Sequence, residues 1–565
     1  MKIRLLPLVL ALCISAPCLA DDTDSALQTV TRTVKFDTSE IIRSEIPLEM
    51  YGYSHEFARF HGMAGGESVR SRGTNFLATD YNEANPAAVV AIQGYPMNHF
   101  RIGGTSANYA NWKYLLGEKW HYRFTNSNKN VYAGYSDGIG SADMRIDNSS
   151  TILKRMTNSY KVSAQDIIKI LNGYNKDASY TWCLNVNTDT LENQIDLVEF
   201  LTSDGSVNYN GGENWGKIRR ETYGIDKINM YAWELGNEVD LNKTNIDEYI
   251  EAIKKFVPAI RTVDKTTPIA VTIASNDTGS VGVDWQRKLL IECGDIIDYI
   301  IIHKYFGVNH VAAVCESTLR KTISDIEKYG DPERHKIIFT EYNTSFAGSD
   351  TETWKRNTSI SAAVTIGDYL IRMLNYPQLV ETDFQALNGG GGTRTANPKT
   401  GMSEEGYYTD GGPWWAYYVD TDKTVKAVAP IEVMKLFNDN SSDAKVIGYN
   451  YQDFTLGKAA TSSAIPLLQK NGDVCLFVTN FDKEKELEVT IENDGYYLKE
   501  DTVIYGTNGE YSMNFRDKKE VEIVTKNHKG NNECKTYSMP AMSFAMLRLS
   551  PGAKVSQNGG YDENK

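Results

Sequence analysis

The chain has 565 residues, of which 41% are hydrophobic and 23% are charged, and this ordinary globular composition excludes a disordered, collagen-like or coiled-coil protein. The formal net charge is −14, and the sequence has no block of lysine and arginine. A nucleic-acid partner or an anionic membrane surface is therefore not expected, because neutralising phosphate requires clustered positive charge. The aromatic content of 11% suits either the faces of sugar rings or the interior of a large core.

Residues 1–20 have the pattern of a secretory signal peptide. Lys2 and Arg4 precede an apolar run over 5–14, and small residues close the segment. The pattern predicts a secreted or periplasmic protein, and a lipid anchor on Cys13 is the alternative. The run is too short to cross a membrane, and no later segment has the roughly 18 consecutive apolar residues that a spanning helix needs. We therefore expect no transmembrane segment.

Eight short runs of β-branched and aromatic residues alternate with longer segments of helical period. The predicted strands are, in chain order, Met50–Ser54, Asn98–Ile102, Tyr180–Val186, Asn229–Leu235, Pro268–Ala274, Asp298–His303, Lys336–Glu341 and Thr382–Leu387. The intervening segments have apolar residues at three- and four-residue spacing, and Ser163 and Thr244 are the predicted N-caps of two helices. Eight strand-then-helix units predict the α/β class and a closed parallel (β/α)8 TIM barrel, with its chemistry on the loops that follow the strands.

The pattern changes after the eighth strand to short alternating strands. They follow a helix near Ala429–Phe437 and predict a C-terminal antiparallel β-sandwich, which the alternating run Leu27–Phe36 is expected to join as an N-terminal strand. The predicted organisation is a signal peptide over 1–20, an N-terminal strand segment over 21–48, a catalytic barrel over 49–415, the last barrel helix and the sandwich over 416–552, and a disordered tail over 553–565.

Two predicted strands each carry a glutamate at the end where a barrel holds its chemistry. The fourth strand is followed by Asn237 and Glu238, and the seventh ends at Glu341. Glycoside hydrolysis needs such a pair, because one carboxylic acid protonates the leaving oxygen while a second carboxylate attacks the anomeric carbon or activates water. The pattern resembles the signature of the retaining (β/α)8 glycoside hydrolases of clan A. This resemblance implies that Glu238 is the acid/base, that Glu341 is the nucleophile, and that Asn237 binds the hydroxyl next to the anomeric carbon.

The ends of other predicted strands supply further candidates. Arg101 lies near the end of the second strand, where it would keep Glu341 ionised through an opposite charge at close range. The resemblance implies that His303 lines the sugar subsite and that Tyr305 hydrogen-bonds the nucleophile. A structural ion pair for the arginine, or a place in the core for the histidine and tyrosine, is the alternative.

Side chains from several other loops are candidates for binding a carbohydrate. Their shared property is a hydroxyl-binding amide or carboxylate, or an aromatic face. The candidates are Glu56, Asn185, Asn276, Trp112 and Trp414. Each has a structural alternative, because asparagines form turns, glutamates pair with arginines and tryptophans pack into hydrophobic seams.

Local motifs resemble different families of this clan. The Gly-Gly-x-x-x-x-Tyr-x-x-Trp of Gly103–Trp112, with His303-Lys-Tyr305, resembles the α-L-arabinofuranosidases of glycoside hydrolase family 51. The run Arg101–Thr105 is similar to the heparanase-like β-glucuronidases of family 79, and Thr340–Ser345 is similar to the β-xylosidases of family 39. The resemblance covers most of the chain only at the level of the clan.

The sequence therefore predicts a retaining glycosidase that acts on a plant- or algal-type polysaccharide or oligosaccharide. An α-L-arabinofuranosidase is the first choice, a β-glucuronidase, a β-xylosidase or an endo-acting enzyme is the alternative, and a carbohydrate-binding protein without turnover is the alternative of another class. No cofactor is expected, because this chemistry needs none. No metal site is predicted, because the eight histidines are dispersed and form no His-x-His or His-Glu-x-x-His pattern.

Overall fold

A computed structural model gives the structure of the chain. It describes residues 29–56, 78–80, 83–104, 107–108, 112–116, 124–125, 131–132, 163–187, 189–209, 211–241, 244–274, 280–307, 312–344, 357–387, 416–419, 424–514, 518–529 and 533–552. The predicted signal peptide over 1–20 and the predicted tail over 553–565 lie outside these ranges. Among the described helices, none has the length and the apolar composition needed to cross a membrane.

Eight parallel strands close into a barrel. The barrel strands are β2 (Gly52–Glu56), β5 (His99–Gly103), β8 (Ser179–Leu184), β9 (Asn229–Leu235), β10 (Ile269–Thr272), β11 (Tyr299–Phe306), β12 (Lys336–Thr344) and β13 (Leu379–Gln385). Each strand pairs with the one before it in chain order, and β13 closes the barrel on β2 with Asp383 opposite Gly52. The eight predicted strands correspond to these in order, so the predicted TIM barrel is confirmed.

Helices alternate with the barrel strands, as short buried strands joined by amphipathic segments require. They are α1 (Pro86–Ala91), α2 (Trp112–Leu115), α3 (Ala164–Tyr174), α4 (Leu191–Thr202), α5 (Trp215–Tyr223), α6 (Ile246–Val263), α7 (Ser280–Cys293), α8 (Ala313–Tyr329), α9 (Ile360–Met373) and α10 (Ala429–Asp439), with a 3-10 helix over Leu48–Tyr51. Ser163 caps α3 in a capping box with Asp166. The N-cap of α6 is Asn245 rather than the predicted Thr244, and Glu248 completes its capping box.

Short two-stranded hairpins decorate the barrel. Their strands are β3 (Ala78–Asp80), β4 (Glu83–Ala84), β6 (Phe124–Thr125), β7 (Val131–Tyr132), β14 (Tyr417–Val419) and β15 (Val425–Ala427). The last pair is tied to the barrel, because Tyr417 packs against Tyr53 of β2 and the two hydroxyl groups lie 2.8 Å apart.

A nine-stranded sheet forms the second domain. Its strands are β1 (Thr29–Arg43), β16 (Lys445–Tyr451), β17 (Ser462–Leu468), β18 (Val474–Asn480), β19 (Glu486–Ile491), β20 (Tyr496–Gly506), β21 (Val521–Asn527), β22 (Thr536–Met539) and β23 (Ser543–Pro551). Strand β1 lies between β16 and β19, antiparallel to the first and parallel to the second. Residues from opposite parts of the sheet, such as Val34, Leu476, Val489 and Leu547, share one buried core. The predicted sandwich with an N-terminal strand is confirmed, and the pairing of β1 with β19 is its parallel element.

The barrel and the sandwich meet across α9. Every residue of this helix is buried, and it contacts β12 on one side and β17, β18 and β23 on the other. Gly367 lies where a Cβ atom would come within 2.6 Å of the Phe544 ring. A larger residue there would have to separate the helix from the sheet, so this glycine sets the distance between the two domains.

The barrel interior contains a polar cluster near the N-terminal ends of the strands. His99 Nε2 lies 3.2 Å from Glu381 Oε1 and 3.7 Å from Asp383 Oδ1, and all three side chains are fully buried. A Cβ atom on Gly52 would come within 2.1 Å of Asp383 Oδ1, so only glycine leaves room for the cluster at that position.

Burial and neighbouring charges shift the pKa values of Glu381 and Asp383 in opposite directions. Burial alone would raise the pKa of Glu381, but the charge of His99, the close polar groups of His99 and Asp383 and a hydrogen bond from Thr181 outweigh it and lower that pKa. Burial and the neighbouring Glu381 charge raise the pKa of Asp383 well above its ordinary value. Asp383 therefore keeps its proton where Glu381 is ionised, and the two carboxyl groups together carry one negative charge.

These opposite pKa shifts predict that two amide substitutions lower the free energy of unfolding by different amounts. Asparagine has the shape of a protonated aspartic acid, so Asp383→Asn should change the free energy of unfolding by no more than about 1 kcal/mol. Glu381→Gln removes the anion that faces His99 and should cost about 3–5 kcal/mol, as breaking a buried ion pair does. Urea denaturation of both variants measures the difference, and equal costs would contradict the assignment of the proton to Asp383.

Candidate active site

Two glutamates meet at the mouth of the barrel, the end formed by the C-terminal ends of its strands. Glu238 lies three residues beyond the end of β9, and Glu341 is the sixth residue of β12. A carboxylate oxygen of Glu238 lies within 4.8 Å of one of Glu341. The Glu238 side chain is 22% exposed and that of Glu341 is 9% exposed. The two carboxyl groups therefore share one site but differ in their contact with water.

Positive charge and hydrogen-bond donors surround Glu341. Arg101 Nη1 donates to Oε1 at 2.7 Å, Tyr305 Oη donates to Oε2 at 2.5 Å, and His303 Nδ1 lies 3.9 Å from Oε2. Burial alone would raise the pKa of Glu341, but the charges of His303 and Arg101 and the two hydrogen bonds outweigh it and lower that pKa to about 2. Glu341 is therefore an anion at neutral pH.

Arg101 is held on every side by protein groups. Its Nε and Nη2 donate to Glu234 at 2.7 and 2.5 Å, Nη2 also donates to Asn237 Oδ1 at 2.7 Å, and Nη1 donates to Ser54 Oγ at 3.2 Å as well as to Glu341. These contacts use all five N–H groups of the guanidinium. Because Arg101 and Glu234 are fully buried, the pair has the fixed geometry of a bidentate ion pair.

Glu238 lies in a backbone turn of unusual conformation. Gly236 has a φ of 77° and Glu238 has a φ of 42°, so both residues occupy the left-handed region. His303 Nδ1 lies 3.0 Å from Glu238 Oε1, and His303 Nε2 lies 2.9 Å from Thr340 Oγ1. Burial alone would lower the pKa of His303, but the charges of Glu341 and Glu238 raise it. His303 thus links the two glutamates electrostatically.

Two contributors to the mouth have no counterpart among the predicted site residues. Glu234 is the ion-pair partner of Arg101, and Asn108 makes a pair of hydrogen bonds with the backbone of Asn237. The signal for Glu234 is present in the sequence, since a glutamate inside the buried strand Asn229–Leu235 requires a buried positive partner. Nothing in the sequence identifies the partner of Asn108, because its contact is to main-chain atoms.

Two predicted substrate-binding residues have their described contacts outside the network around the two glutamates. Trp112 is buried among helices, where its ring packs against Trp215 and Phe200 and its Nε1 donates to the carbonyl of Asn193. The Asn185 side chain is buried, and its Oδ1 accepts a hydrogen bond from the backbone of Asn187 in the turn after β8.

The other predicted residues are only partly described. Glu56 ends β2 at the mouth, and its side chain lies outside the described part of the structure. Asn276 and Trp414 also lie outside it. Of the predicted residues that the structure describes in full, Glu238, Glu341, Asn237, Arg101, His303 and Tyr305 form one connected network.

The chain is similar to α-L-arabinofuranosidases in sequence and in fold. It is 22% identical over 284 residues to the intracellular exo-α-(1→5)-L-arabinofuranosidase 1 of Bacillus subtilis, covering 45% of the chain and 54% of that enzyme, so it spans about half the length of this relative. It is 21% identical over 461 residues to the intracellular exo-α-(1→5)-L-arabinofuranosidase of Halalkalibacterium halodurans, covering 74% of the chain and 85% of that enzyme. No family model matches the chain.

Comparison with solved structures also finds similarity to α-L-arabinofuranosidases. The GH51 α-L-arabinofuranosidase of Thermotoga petrophila has a TM-score of 0.66 to this chain at 15% identity, over 92% of the chain and 99% of that enzyme. The predicted resemblance to family 51 within clan A, and with it to glycoside hydrolases as a class, is thereby confirmed.

The prediction of a secreted or periplasmic protein is wrong when it is set against these relatives. Both of the relatives described above are named intracellular enzymes. The prediction rested on residues 1–20, where two basic residues precede an apolar run over 5–14. Such a run is short and consists of residues that are common in any chain, so it does not identify a leader by itself.

The lowered pKa of Glu341 predicts a specific contribution to acid stability. Because the pKa is about 2 in the folded chain and about 4.5 when unfolded, the ionised group stabilises the fold above pH 4.5, and this stabilisation is lost as the pH falls from 4.5 towards 2. Glu341→Gln should therefore be less stable than wild type at pH 6, and the difference should shrink as the pH falls. Urea denaturation between pH 2 and 6 measures the difference.

The exposed Glu333 provides a matched control for this titration. Glu333→Gln should show no comparable change in its stability difference across the same pH range. A stability difference for Glu341→Gln that stays constant from pH 6 to pH 2 would contradict the lowered pKa.

Proposed function

We propose that the chain is a retaining glycoside hydrolase that releases α-L-arabinofuranosyl residues from a plant- or algal-type polysaccharide or oligosaccharide by double displacement. The observation that carries the proposal is the close approach of Glu238 and Glu341 at the barrel mouth, with carboxylate oxygens within 4.8 Å. Retaining glycosidases have carboxyl groups about 5–5.5 Å apart, whereas inverting enzymes leave about 6.5–9.5 Å for a water molecule between them. The short separation favours retention.

Glu341 is suited to be the nucleophile. Its low pKa supplies the carboxylate, and the hydrogen bonds from Arg101 and Tyr305 orient its two oxygens. One oxygen attacks the anomeric carbon and forms an ester bond to the sugar, while the bond from that carbon to the leaving oxygen breaks. The positive charge of Arg101 stays beside the carboxylate throughout, so no rearrangement is needed when the ester later hydrolyses.

Glu238 is suited to be the acid and then the base. It is more exposed than Glu341, so a leaving group and a water molecule can reach its carboxyl group. In the first step it transfers its proton to the leaving oxygen. In the second step it takes a proton from a water molecule, whose oxygen attacks the anomeric carbon and releases Glu341. His303, within 3.0 Å of Glu238, holds the carboxyl group in place.

Asn237 is suited to bind the hydroxyl next to the anomeric carbon. Its Oδ1 accepts a hydrogen bond from Arg101 Nη2, and this contact fixes which end of the amide is oxygen. The amide nitrogen can then donate a hydrogen bond to a sugar hydroxyl oxygen. The same guanidinium thus orients both the nucleophile and the proposed hydroxyl-binding amide.

The hydrogen bonds of Arg101 support the choice of an arabinofuranoside over a glucuronide as substrate. A uronidase needs a cation for the substrate carboxylate, but Arg101 donates all five N–H groups to Glu234, Glu341, Asn237 and Ser54. The two sequence relatives are both named exo-acting arabinofuranosidases. We therefore prefer an exo-acting α-L-arabinofuranosidase over a β-glucuronidase, a β-xylosidase or an endo-acting enzyme.

A panel of aryl glycosides and arabinose-containing polysaccharides tests this proposal. Wild-type protein should release arabinose from aryl α-L-arabinofuranoside and from the polysaccharide, and should leave aryl β-glucuronide and β-xyloside nearly untouched. Glu341→Gln should reduce turnover by at least about 10⁴-fold while sugar binding persists, because it removes the nucleophile. Glu333→Gln, a substitution of an exposed glutamate that precedes the N-terminal end of β12, opposite the end that forms the mouth, should keep wild-type turnover.

Four outcomes of these measurements would contradict the proposal at different levels. Products that are only oligosaccharides would exclude exo action, and release of glucuronic acid or xylose would exclude the sugar assignment. Turnover that survives in Glu341→Gln at the wild-type rate would exclude Glu341 as the nucleophile. Sugar binding without turnover in wild type would indicate a carbohydrate-binding protein.

A further inference from the structure

The turn that carries Glu238 is held from outside by one asparagine. We propose that Asn108 is a positioning residue for Glu238: its side-chain amide binds the main chain on both sides of Asn237 and so fixes the direction in which the acid/base carboxyl points. The inference rests on the proposed role of Glu238 as acid/base. It adds a residue that touches neither of the two catalytic carboxyl groups in the contacts described above.

The backbone of this turn needs an external restraint. Glu238 has a φ of 42°, in the left-handed region that is unfavourable for a residue with a Cβ atom. Gly236 has a φ of 77°, and a Cβ atom there would come within 2.6 Å of Val239 and 2.9 Å of Val186. A strained residue next to a tightly packed glycine persists only when its surroundings determine its conformation.

Asn108 supplies that restraint through two hydrogen bonds. Its Oδ1 accepts from the backbone N–H of Asn237 at 2.9 Å, and its Nδ2 donates to the carbonyl of Asn237 at 2.6 Å. That carbonyl belongs to the peptide group that joins Asn237 to Glu238, so its direction sets the φ of Glu238. The amide therefore holds the main-chain dihedral from which the Glu238 side chain starts.

Asn108 is itself fixed in the loop that follows β5. It is fully buried, and the preceding residue Ala107 donates its N–H to the carbonyl of Gly104 at 3.0 Å. The same segment of chain begins with Arg101, which binds Glu341. Arg101 thus holds the nucleophile, and Asn108, seven residues later, holds the turn of the acid/base. The spacing of the two carboxyl groups depends on both sets of contacts.

Only an amide fits this position chemically. Aspartate has the same shape as asparagine but would place a carboxylate oxygen against the Asn237 carbonyl, where the Nδ2 donor now lies. Serine is too short to reach both main-chain groups of Asn237. Asn108→Asp should therefore displace the turn while keeping the packing, and Asn108→Ser should loosen it while adding no charge.

The dependence of rate on the leaving group separates a positioning role from a purely structural one. An aryl arabinofuranoside with a dinitrophenyl leaving group needs no proton from Glu238, whereas an arabinose disaccharide does. We expect Asn108→Asp to lower kcat/KM about 10- to 100-fold on the disaccharide and less than about threefold on the dinitrophenyl glycoside, because general acid catalysis contributes about 10²–10⁴-fold. Glu238→Ala gives the full size of this selective loss.

A buried asparagine elsewhere provides the matched control. Nδ2 of Asn375 donates a hydrogen bond to the carbonyl of Ile371 in the last turn of α9. Asn375→Asp therefore also replaces an amide that binds a main-chain oxygen. It should lower stability without changing the ratio of the two rates. The thermal midpoint of each variant, measured alongside, identifies loss of folded protein as the source of any uniform loss of rate.

Three results would overturn the inference. They are equal losses on both substrates for Asn108→Asp, a wild-type rate on both, or a selective loss of the same size in Asn375→Asp. If Asn108→Asp does not fold, the ratio of the rates on the two substrates is measured for Asn108→Ser instead. If Glu238→Ala shows no selective loss on the disaccharide, the proposed role of Glu238 fails instead, and the two failures are thereby distinguished.

Discussion

The guanidinium of Arg101 is the interaction on which the barrel mouth depends. It is fully buried and donates hydrogen bonds from its five N–H groups to Glu234, Glu341, Asn237 and Ser54. These residues lie, respectively, on β9, on β12, in the turn after β9 and on β2. A buried positive charge without such partners would cost several kcal/mol, so the strands that bring these oxygens together are constrained by the same residue. Arg101 therefore couples the geometry of the barrel to the charge state of the nucleophile.

The two glutamates differ because their surroundings differ. Glu341 lies against Arg101 and Tyr305 and is nearly buried, so its charged form is favoured. Glu238 lies beyond the end of β9, is more exposed, and contacts His303 rather than the guanidinium. An acid and a nucleophile need two carboxyl groups in different surroundings. The fold produces this difference by placing one glutamate inside a strand and the other on a strained turn.

The sequence predicted the parts of the site that strand ends reveal. Glu238, Glu341, Arg101, His303 and Tyr305 were found because buried parallel strands have a simple apolar pattern and a barrel collects chemistry after them. The structure adds that hydrogen bonds and charge contacts connect them, with His303 3.0 Å from a Glu238 oxygen and 3.9 Å from a Glu341 oxygen.

Partners that meet only in the folded chain escaped prediction. Glu234 and Asn108 act through contacts with Arg101 and with the main chain of Asn237, which are distant in sequence. The different protonation of Glu381 and Asp383 likewise depends on His99, far away in the chain. Trp112 was assigned to the substrate because tryptophans suit sugars, but its neighbours Trp215 and Phe200 make it part of the helix layer. Composition cannot distinguish these two uses of an aromatic ring.

The central claim is that Glu341 forms a covalent bond to the sugar while Glu238 handles the proton. Mass spectrometry of Glu238→Ala after brief reaction with a dinitrophenyl α-L-arabinofuranoside tests it most directly, because this substrate needs no acid for the first step but the variant lacks the base for the second. The account predicts an added mass of one anhydropentose on the peptide that contains Glu341. A label on another residue, or no label although the dinitrophenol is released, would contradict it.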